Sequence, residues 1–378
     1  MAKIYHKMPI DASPAAKFID EQGMQPRFSD IADNIEDEKH WQYIEKQLDI
    51  KKLTIPVFHA GGWYDSEFTS SIIANFNTLK EKAASKTARQ NQKLIIGPWV
   101  HSHDMLNMVG ELDFGMRASG ALIDITGKHL NWFDHWLKGK DNGITKEPNI
   151  KIFVMGKNIW RDENEWPLAR TKYVPYYFHS KGKANSRAGD GVINANKPLK
   201  EASDRYVYDP ASPVQSNEMA GAWDQRDIED RKDVLVYSSG KLTVDLEVTG
   251  PVEVHLWAAS SAKDTDFTAK LVDVWPDGKA YNILDGIIRA RYRKSIARKE
   301  LLTPGKVYQY KIELGSTSNV FKAGHQIRIE ISSSNFPKWE RNLNTGNSTG
   351  KDSEIKTAKQ TIMHSQEFSS HILLPVIE

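Results

Sequence analysis

The residues best suited to chemistry are an aspartate and a histidine, each closing a similar local pattern. Ile55-Pro56-Val57-Phe58-His59-Ala60-Gly61-Gly62-Trp63-Tyr64-Asp65 is an apolar run, a glycine-aromatic turn and a carboxylate. Leu94-Ile95-Ile96-Gly97-Pro98-Trp99-Val100-His101 is a second run, a second turn and an imidazole. Set side by side at strand ends, such a pair moves protons: the imidazole acts as base and then acid, and the carboxylate fixes its tautomer and stabilises the imidazolium. A plainer account stays open, in which Asp65 caps a helix starting near Glu67 and His101 sits in an ordinary loop.

The flanking patterns predict elements that would bring the two together. Residues 53–59 read as a short buried parallel strand, 67–84 as a helix with Phe68, Ile72, Phe76 and Leu79 at spacings of three and four, and Lys93–Ile96 as the next strand. Strand, helix, strand is a βαβ unit with a right-handed crossover, and in such sheets functional groups gather beyond the C-terminal strand ends. A further helix is predicted over 121–138, with Ile125, His129, Trp132, Phe133 and Trp136 on one side and Gly139 stopping it. After about residue 172 the period changes to two. Val252, Val254 and Leu256; Tyr308, Tyr310, Ile312 and Leu314; and Ile327, Ile329 and Ile331 alternate with polar residues, and a break falls at Gly250-Pro251. The expected class is therefore α/β plus all-β: part of an open sheet followed by a jelly-roll β-sandwich. The expected divisions are a helical segment over 1–46, the α/β part over 47–171 and the sandwich over 172–378, with Asn158–Thr171 as linker.

Composition removes several function classes. With 51 basic and 49 acidic residues the formal net charge is +2, which gives no electrostatic case for nucleic acid or an anionic membrane as partner. There is no Cys, so disulfides, thiolate nucleophiles and thiolate metal ligands are excluded. No apolar run of about 18 residues predicts a membrane helix, and the first eight residues show no signal-peptide core. These features assign no compartment.

The motifs around Asp65 and His101, together with Trp136-Leu137-Lys138-Gly139, Trp160-Arg161, Trp166-Pro167-Leu168, Tyr208-Asp209-Pro210, Asp264-Thr265-Asp266, Arg289-Ala290-Arg291-Tyr292-Arg293 and Ser332-Ser333-Ser334-Asn335-Phe336-Pro337, closely resemble the CocE/NonD serine hydrolases. That group takes in cocaine esterase, the α-amino-acid ester hydrolases, the cephalosporin acylases and the X-Pro dipeptidyl-peptidases. The resemblance runs over roughly residues 30–378. It implies an α/β-hydrolase domain whose sheet is followed by a galactose-binding-like jelly roll that walls the substrate pocket. It also implies cleavage of a small ester, amide or peptide substrate through an acyl-serine, with Asp65 and His101 as catalytic residues and no cofactor. Members carry the nucleophile on a Gly-x-Ser-x-x-Gly elbow upstream of the aspartate, and no such elbow occurs before Asp65. The expectation is a chain equivalent to the C-terminal portion of a member, inactive alone, with a possible N-terminal partner chain or a homo-oligomer. The alternative is a non-catalytic carbohydrate-binding or interaction module.

Glu36 and Asp37, and Glu67 two residues after Asp65, are candidate carboxylates for a substrate amine, as the resemblance implies. For Glu36 and Asp37 the simpler reading is a helix start. Trp63 and Trp99 flank the pair and either line a pocket or pack strand ends. Gly346-Asn347-Ser348-Thr349-Gly350 fits an esterase pattern, but its flanks are turn-forming and it follows both Asp65 and His101, so a surface loop is expected. His101-Ser102-His103 lacks a third metal partner. Asp264 and Asp266 lack a spaced calcium loop, so pairing between strands is expected there and no metal site is assigned.

Overall fold

In a computed structural model, the structure describes residues 17, 20–21, 30, 33–47, 49–102, 104–217 and 219–378. Its α/β part opens with helix α1 (Glu38–Gln47) and then strand β1 (Phe58–Gly62). Helices α2 (Thr69–Lys82) and α3 (Lys86–Gln90) cross over to β2 (Lys93–Gly97). A short hairpin, β3 (Met108–Val109) and β4 (Leu112–Asp113), and helix α4 (Ile125–Lys138) precede β5 (Ile150–Val154) and β6 (Ile159–Glu163). The sheet order is β1-β2-β5-β6, parallel except for β6, which runs back along β5.

The first strand starts later than its apolar run suggests. Pro56 has no N–H to give a ladder, Leu53 ends a 3-10 turn over Ile50–Lys52, and Leu53 and Ile55 are exposed. Pairing begins at Phe58 opposite Lys93 and continues through Gly61 to Gly62, so both glycines belong to the strand. Gly62 has a steric reason to be glycine: a Cβ there would lie 2.1 Å from the Trp99 carbonyl oxygen. Helix α4 likewise begins four residues inside its predicted span. Asp124 sits in the left-handed region (φ 53°) and its carboxylate accepts from Gly127 N at 3.0 Å, an N-cap that starts the helix. Trp132 is buried against Phe58, whereas Phe133, predicted on the same stripe, is exposed with Leu130 and Leu137. The stretch read as linker contains β6 and is thus part of the α/β sheet. Trp160 packs against Phe153 and Trp99, and Trp166 against Trp63.

The remaining strands are β7 (Lys172–His179), β8 (Val192–Asn194), β9 (Asp204–Tyr208), β10 (Leu235–Ser238), β11 (Leu246–Ser260), β12 (Asp266–Val274), β13 (Ala280–Arg289), β14 (Tyr308–Phe321), β15 (Gln326–Ser332), β16 (Ala358–Met363) and β17 (His371–Ile377), with the short helix α5 (Arg226–Glu229) before β10. They form one 11-stranded sheet that folds over itself as a sandwich. Its spine is the β11–β14 pair, and β17 and β16 share the other edge of β11. The break expected at Gly250-Pro251 does not end a strand. β11 runs through it, and the interruption falls in the ladder with β17 between Val248 and Glu253. The inward residues Val254, Leu256, Phe267, Leu271, Tyr310, Ile312, Ile329 and Ile331 are fully buried and make the core. Burial at roughly 25 cal/mol per Å² makes this core the main stabilising element.

The two sheets are joined by main chain. Met155, at the end of β5, donates to Ser318 O at 2.9 Å and accepts from Val320 N at 2.9 Å. Gly156 follows with φ +80°, and a Cβ there would lie 2.3 Å from Val320 O, so only glycine permits the approach.

Candidate active site

Asp65 and His101 stand at the C-terminal ends of β1 and β2, and neighbouring backbone holds them in place. Trp63 N donates to Gly97 O at 2.8 Å and Tyr64 N to Trp99 O at 3.0 Å, so the two strand-end turns are zipped together. The Asp65 carbonyl accepts from Phe68 N, Thr69 N and Thr69 Oγ1, which ties the turn to the start of α2. The Asp65 side chain is buried, and its Oδ2 lies 3.2 Å from His101 Nδ1. The imidazole itself is 72% exposed and lies flat on the Phe68 ring, with centroids 4.8 Å apart. A carboxylate on Nδ1 favours the tautomer with its proton there, leaving Nε2 as the basic nitrogen. Asp65 Oδ1 is buried and has no partner among the described residues. The simple alternative of an aspartate capping α2 through its side chain does not describe it, because that carboxylate faces the imidazole.

This pair opens on a cavity of about 430 Å³ between the α/β part and the sandwich, a size suited to a small organic ligand. The α/β wall is made by Trp63, Tyr64, Asp65, Ser66, Glu67 and His101. The sandwich wall is contributed by β12, β13 and the loops around 216–223 and 335–338, and includes Lys270, Asn282, Asp285, Asn335 and Lys338. Asn282 organises that wall. Its Oδ1 accepts from Trp223 N at 2.7 Å, its Nδ2 donates to Gly221 O at 3.0 Å, and its carbonyl receives the Tyr64 hydroxyl at 3.3 Å. Burial pushes the Tyr64 hydroxyl pKa far above its usual range, so it stays a donor.

Of the other predicted site residues, Glu67 lines the cavity and is exposed. Trp63 lines it as well, with its indole N–H committed to Phe153 O at 2.8 Å. Trp99 does not reach the cavity. It is buried with its N–H on Ala118 O at 2.7 Å, packing beneath the strand ends. Glu36 and Asp37 are not brought to the site. Glu36 pairs with Arg291 at 3.0 Å and Lys299 at 2.8 Å; burial works against its charge, but these cations hold its carboxyl below the usual range. Asp37 caps α1, accepting from Lys39 N at 2.9 Å. Ser348 lies in an exposed loop, 3.5 Å from Glu36 Oε2, and is not among the residues lining the cavity. Asp264 and Asp266 pair with Arg291 and Arg289 across strands and share the Asn342 amide. His103 lies outside the described residues, and among the described residues no cluster of three His, Asp or Glu could hold a metal ion.

The sandwich wall is not written in any local motif of the sequence. One signal was available: Lys270 interrupts the otherwise largely apolar strand Phe267-Thr268-Ala269-Lys270-Leu271-Val272, and every residue of β12 is buried. A lysine at such a position needs a purpose or a partner. Asn282 and Asn335 carried no comparable signal.

Parallel strands that end in an Asp–His pair, followed by a β-sandwich that walls the adjoining cavity, are the architecture of the α/β-hydrolase fold class with a C-terminal sandwich. The chain belongs to the CocE/NonD hydrolase family. Residues 142–373 match the family described as the X-Pro dipeptidyl-peptidase C-terminal non-catalytic domain, and residues 7–103 match X-Pro dipeptidyl-peptidase (S15 family). The chain is 39% identical to cocaine esterase of Rhodococcus sp. (strain MB1 Bresler) over 92% of its own length and 61% of that protein. Among solved structures it is similar to an aminopeptidase from a marine-sediment Thaumarchaeota archaeon, with TM-score 0.82, 26% identity, and 96% of this chain and 62% of that one covered. An α-amino acid ester hydrolase shares the fold at TM-score 0.82 and 24% identity, covering 99% of this chain and 64% of the other. The chain thus spans a little over three fifths of the length of these relatives.

Proposed function

We propose that this chain carries the acid–base half of a serine hydrolase that cleaves small esters or amides. His101 Nε2 takes the proton from a serine hydroxyl as that oxygen attacks the substrate carbonyl, then passes it to the departing alcohol or amine. Asp65 holds the Nδ1–H tautomer and stabilises the imidazolium that forms. In the second half-reaction the same nitrogen activates water to release the acid. The observation that carries this reading is the Asp65–His101 contact at the mouth of the cavity. The serine and its oxyanion donors come, in this reading, from polypeptide outside these 378 residues, whether continuous with them or a separate chain. In this reading Glu67, which lines the cavity, meets a substrate ammonium.

The test uses 4-nitrophenyl butyrate with the chain alone and together with the polypeptide encoded upstream. The chain alone gives no turnover that His101→Ala removes. The assembled protein turns over, and Asp65→Asn lowers its kcat by about 10⁴-fold with the fold intact. Steady His101-dependent turnover by the chain alone would defeat the shared-site reading. Undiminished turnover in assembled His101→Ala would defeat the proton-transfer role.

A further inference from the structure

The sandwich wall of the cavity holds a buried cation that the proton-transfer chemistry does not use. Lys270 on β12 is 6% exposed, yet it lines the same cavity as Asp65 and His101. Its ammonium donates to Gln225 Oε1 at 2.9 Å, and the nearest carboxylate oxygen, Glu330 Oε2, stands at 3.6 Å, an ion pair too long for a hydrogen bond. An ammonium has three donors, so the described protein partners leave capacity unspent on a group that is costly to bury. Gln225 does not turn away to accommodate it: its amide nitrogen donates to Trp223 O at 2.8 Å, which keeps the oxygen on the lysine.

The carboxylates Asp65 and Glu67 lie on the α/β wall of the cavity, and Lys270 stands on the sandwich wall. Behind Lys270 lie Glu330, Glu229 and Arg328, and Arg328 Nη1 donates to Glu229 Oε2 at 2.5 Å. Burial, and for Glu229 the adjacent Glu330 carboxylate, hold both carboxyls above the usual range. Two cations therefore face two carboxyls whose ionisation burial disfavours. At the cavity wall Lys338 is already neutralised by Asp285 at 2.5 Å. Ile283, Leu284 and Trp63 give the same cavity an apolar part of its lining.

We propose that Lys270 is a specificity-determining residue of this cavity, its ammonium receiving a carboxylate borne by the acyl part of the substrate and by the released acid, while the apolar lining takes the hydrocarbon body. The proposal rests on the reading of this cavity as the substrate pocket, but its test is a binding measurement that needs no turnover. The preferred substrates are esters or amides of dicarboxylic or carboxyaryl acids over their uncharged counterparts.

The probes are phenylacetate and its neutral isostere phenylacetamide, titrated calorimetrically into the full chain. Phenylacetate binds about tenfold tighter or more, the range for one charge-assisted hydrogen bond. Lys270→Met erases that preference, and His101→Ala keeps it. Because the single change strands Glu330, Lys270→Met/Glu330→Gln is measured alongside it. An independent readout uses ¹⁵N-lysine protein in a Lys338→Gln background, in which phenylacetate but not phenylacetamide shifts a side-chain ammonium resonance. Equal binding of the two probes, a preference that survives in the Lys270 variants, a preference lost in His101→Ala, or an unmoved ammonium spectrum overturns the assignment. Failure of ester hydrolysis in the assembled protein bears on His101 and leaves this result standing.

Discussion

Replacing Glu229 by Gln raises the stability of the protein in mildly alkaline solution. Glu229 is fully buried on α5, and its carboxyl is pushed up to about 8 from an ordinary value of 4.5, first by burial and then by the Glu330 carboxylate, against the pull of Arg328. A carboxyl whose folded-state pKa exceeds its unfolded one binds its proton more tightly when folded. Its contribution to stability is fully present below about pH 4.5 and is lost as pH rises through 8. Each unit of difference is worth about 1.4 kcal/mol, so the loss across that window is on the order of a few kcal/mol. Gln keeps an oxygen for the Arg328 guanidinium but cannot ionise. Urea unfolding followed by tryptophan fluorescence between pH 5 and 9 checks this. The variant gains on the parent steadily from pH 5 to 8 and the difference then levels off. A difference that stays flat with pH, or that shrinks as pH rises, would refute the charge reasoning for this cluster.

Two further outcomes test the framework around the pair. Gly62→Ala forces a Cβ to within 2.1 Å of the Trp99 carbonyl and lowers stability by roughly 1–3 kcal/mol as overpacking does; a thermal melt indistinguishable from the parent would contradict the close approach of the two turns. Arg291→Met strips Asp264, which is fully buried, of its guanidinium partner and leaves Glu36 with Lys299 alone of its two cations. The expected loss is about 3–5 kcal/mol in the urea midpoint, whereas a change under about 0.5 kcal/mol would mean the network is a spectator.

The parts legible in the sequence were those written in local periodicity. The alternation at Tyr308, Tyr310 and Ile312 and at Ile327, Ile329 and Ile331 marked sandwich strands, and the matching turns at Trp63 and Trp99 marked two strand ends. What escaped were features decided by distant partners. Residues 53–57 are apolar enough for a strand but lack one because Pro56 and the preceding 3-10 turn withhold the ladder. Phe133 obeys the helical spacing of its neighbours yet faces outward, since spacing alone does not say how wide the buried stripe is. Glu36 and Asp37 carry the charges of an amine site; the helix start offered as the simpler reading describes Asp37, which caps α1, while Glu36 pairs with Arg291 and Lys299, too far along the chain for a local pattern to reveal. The sandwich wall at Asn282, Asp285 and Lys338 depends on which face of β13 and which loop meet Tyr64, a matter of packing between parts far apart in the chain.

The Met155 stitch bears on how the two walls of the cavity are held together. Hydrogen bonds in both directions between Met155 and β14, closed in by Gly156, leave no slack for the helical layer and the sandwich to swing apart as two jaws. A hinge here would have to rupture main-chain pairing. The wall that carries Lys270 and Asn282 is therefore fixed to the strand ends that carry Asp65 and His101 by backbone as well as by side chains.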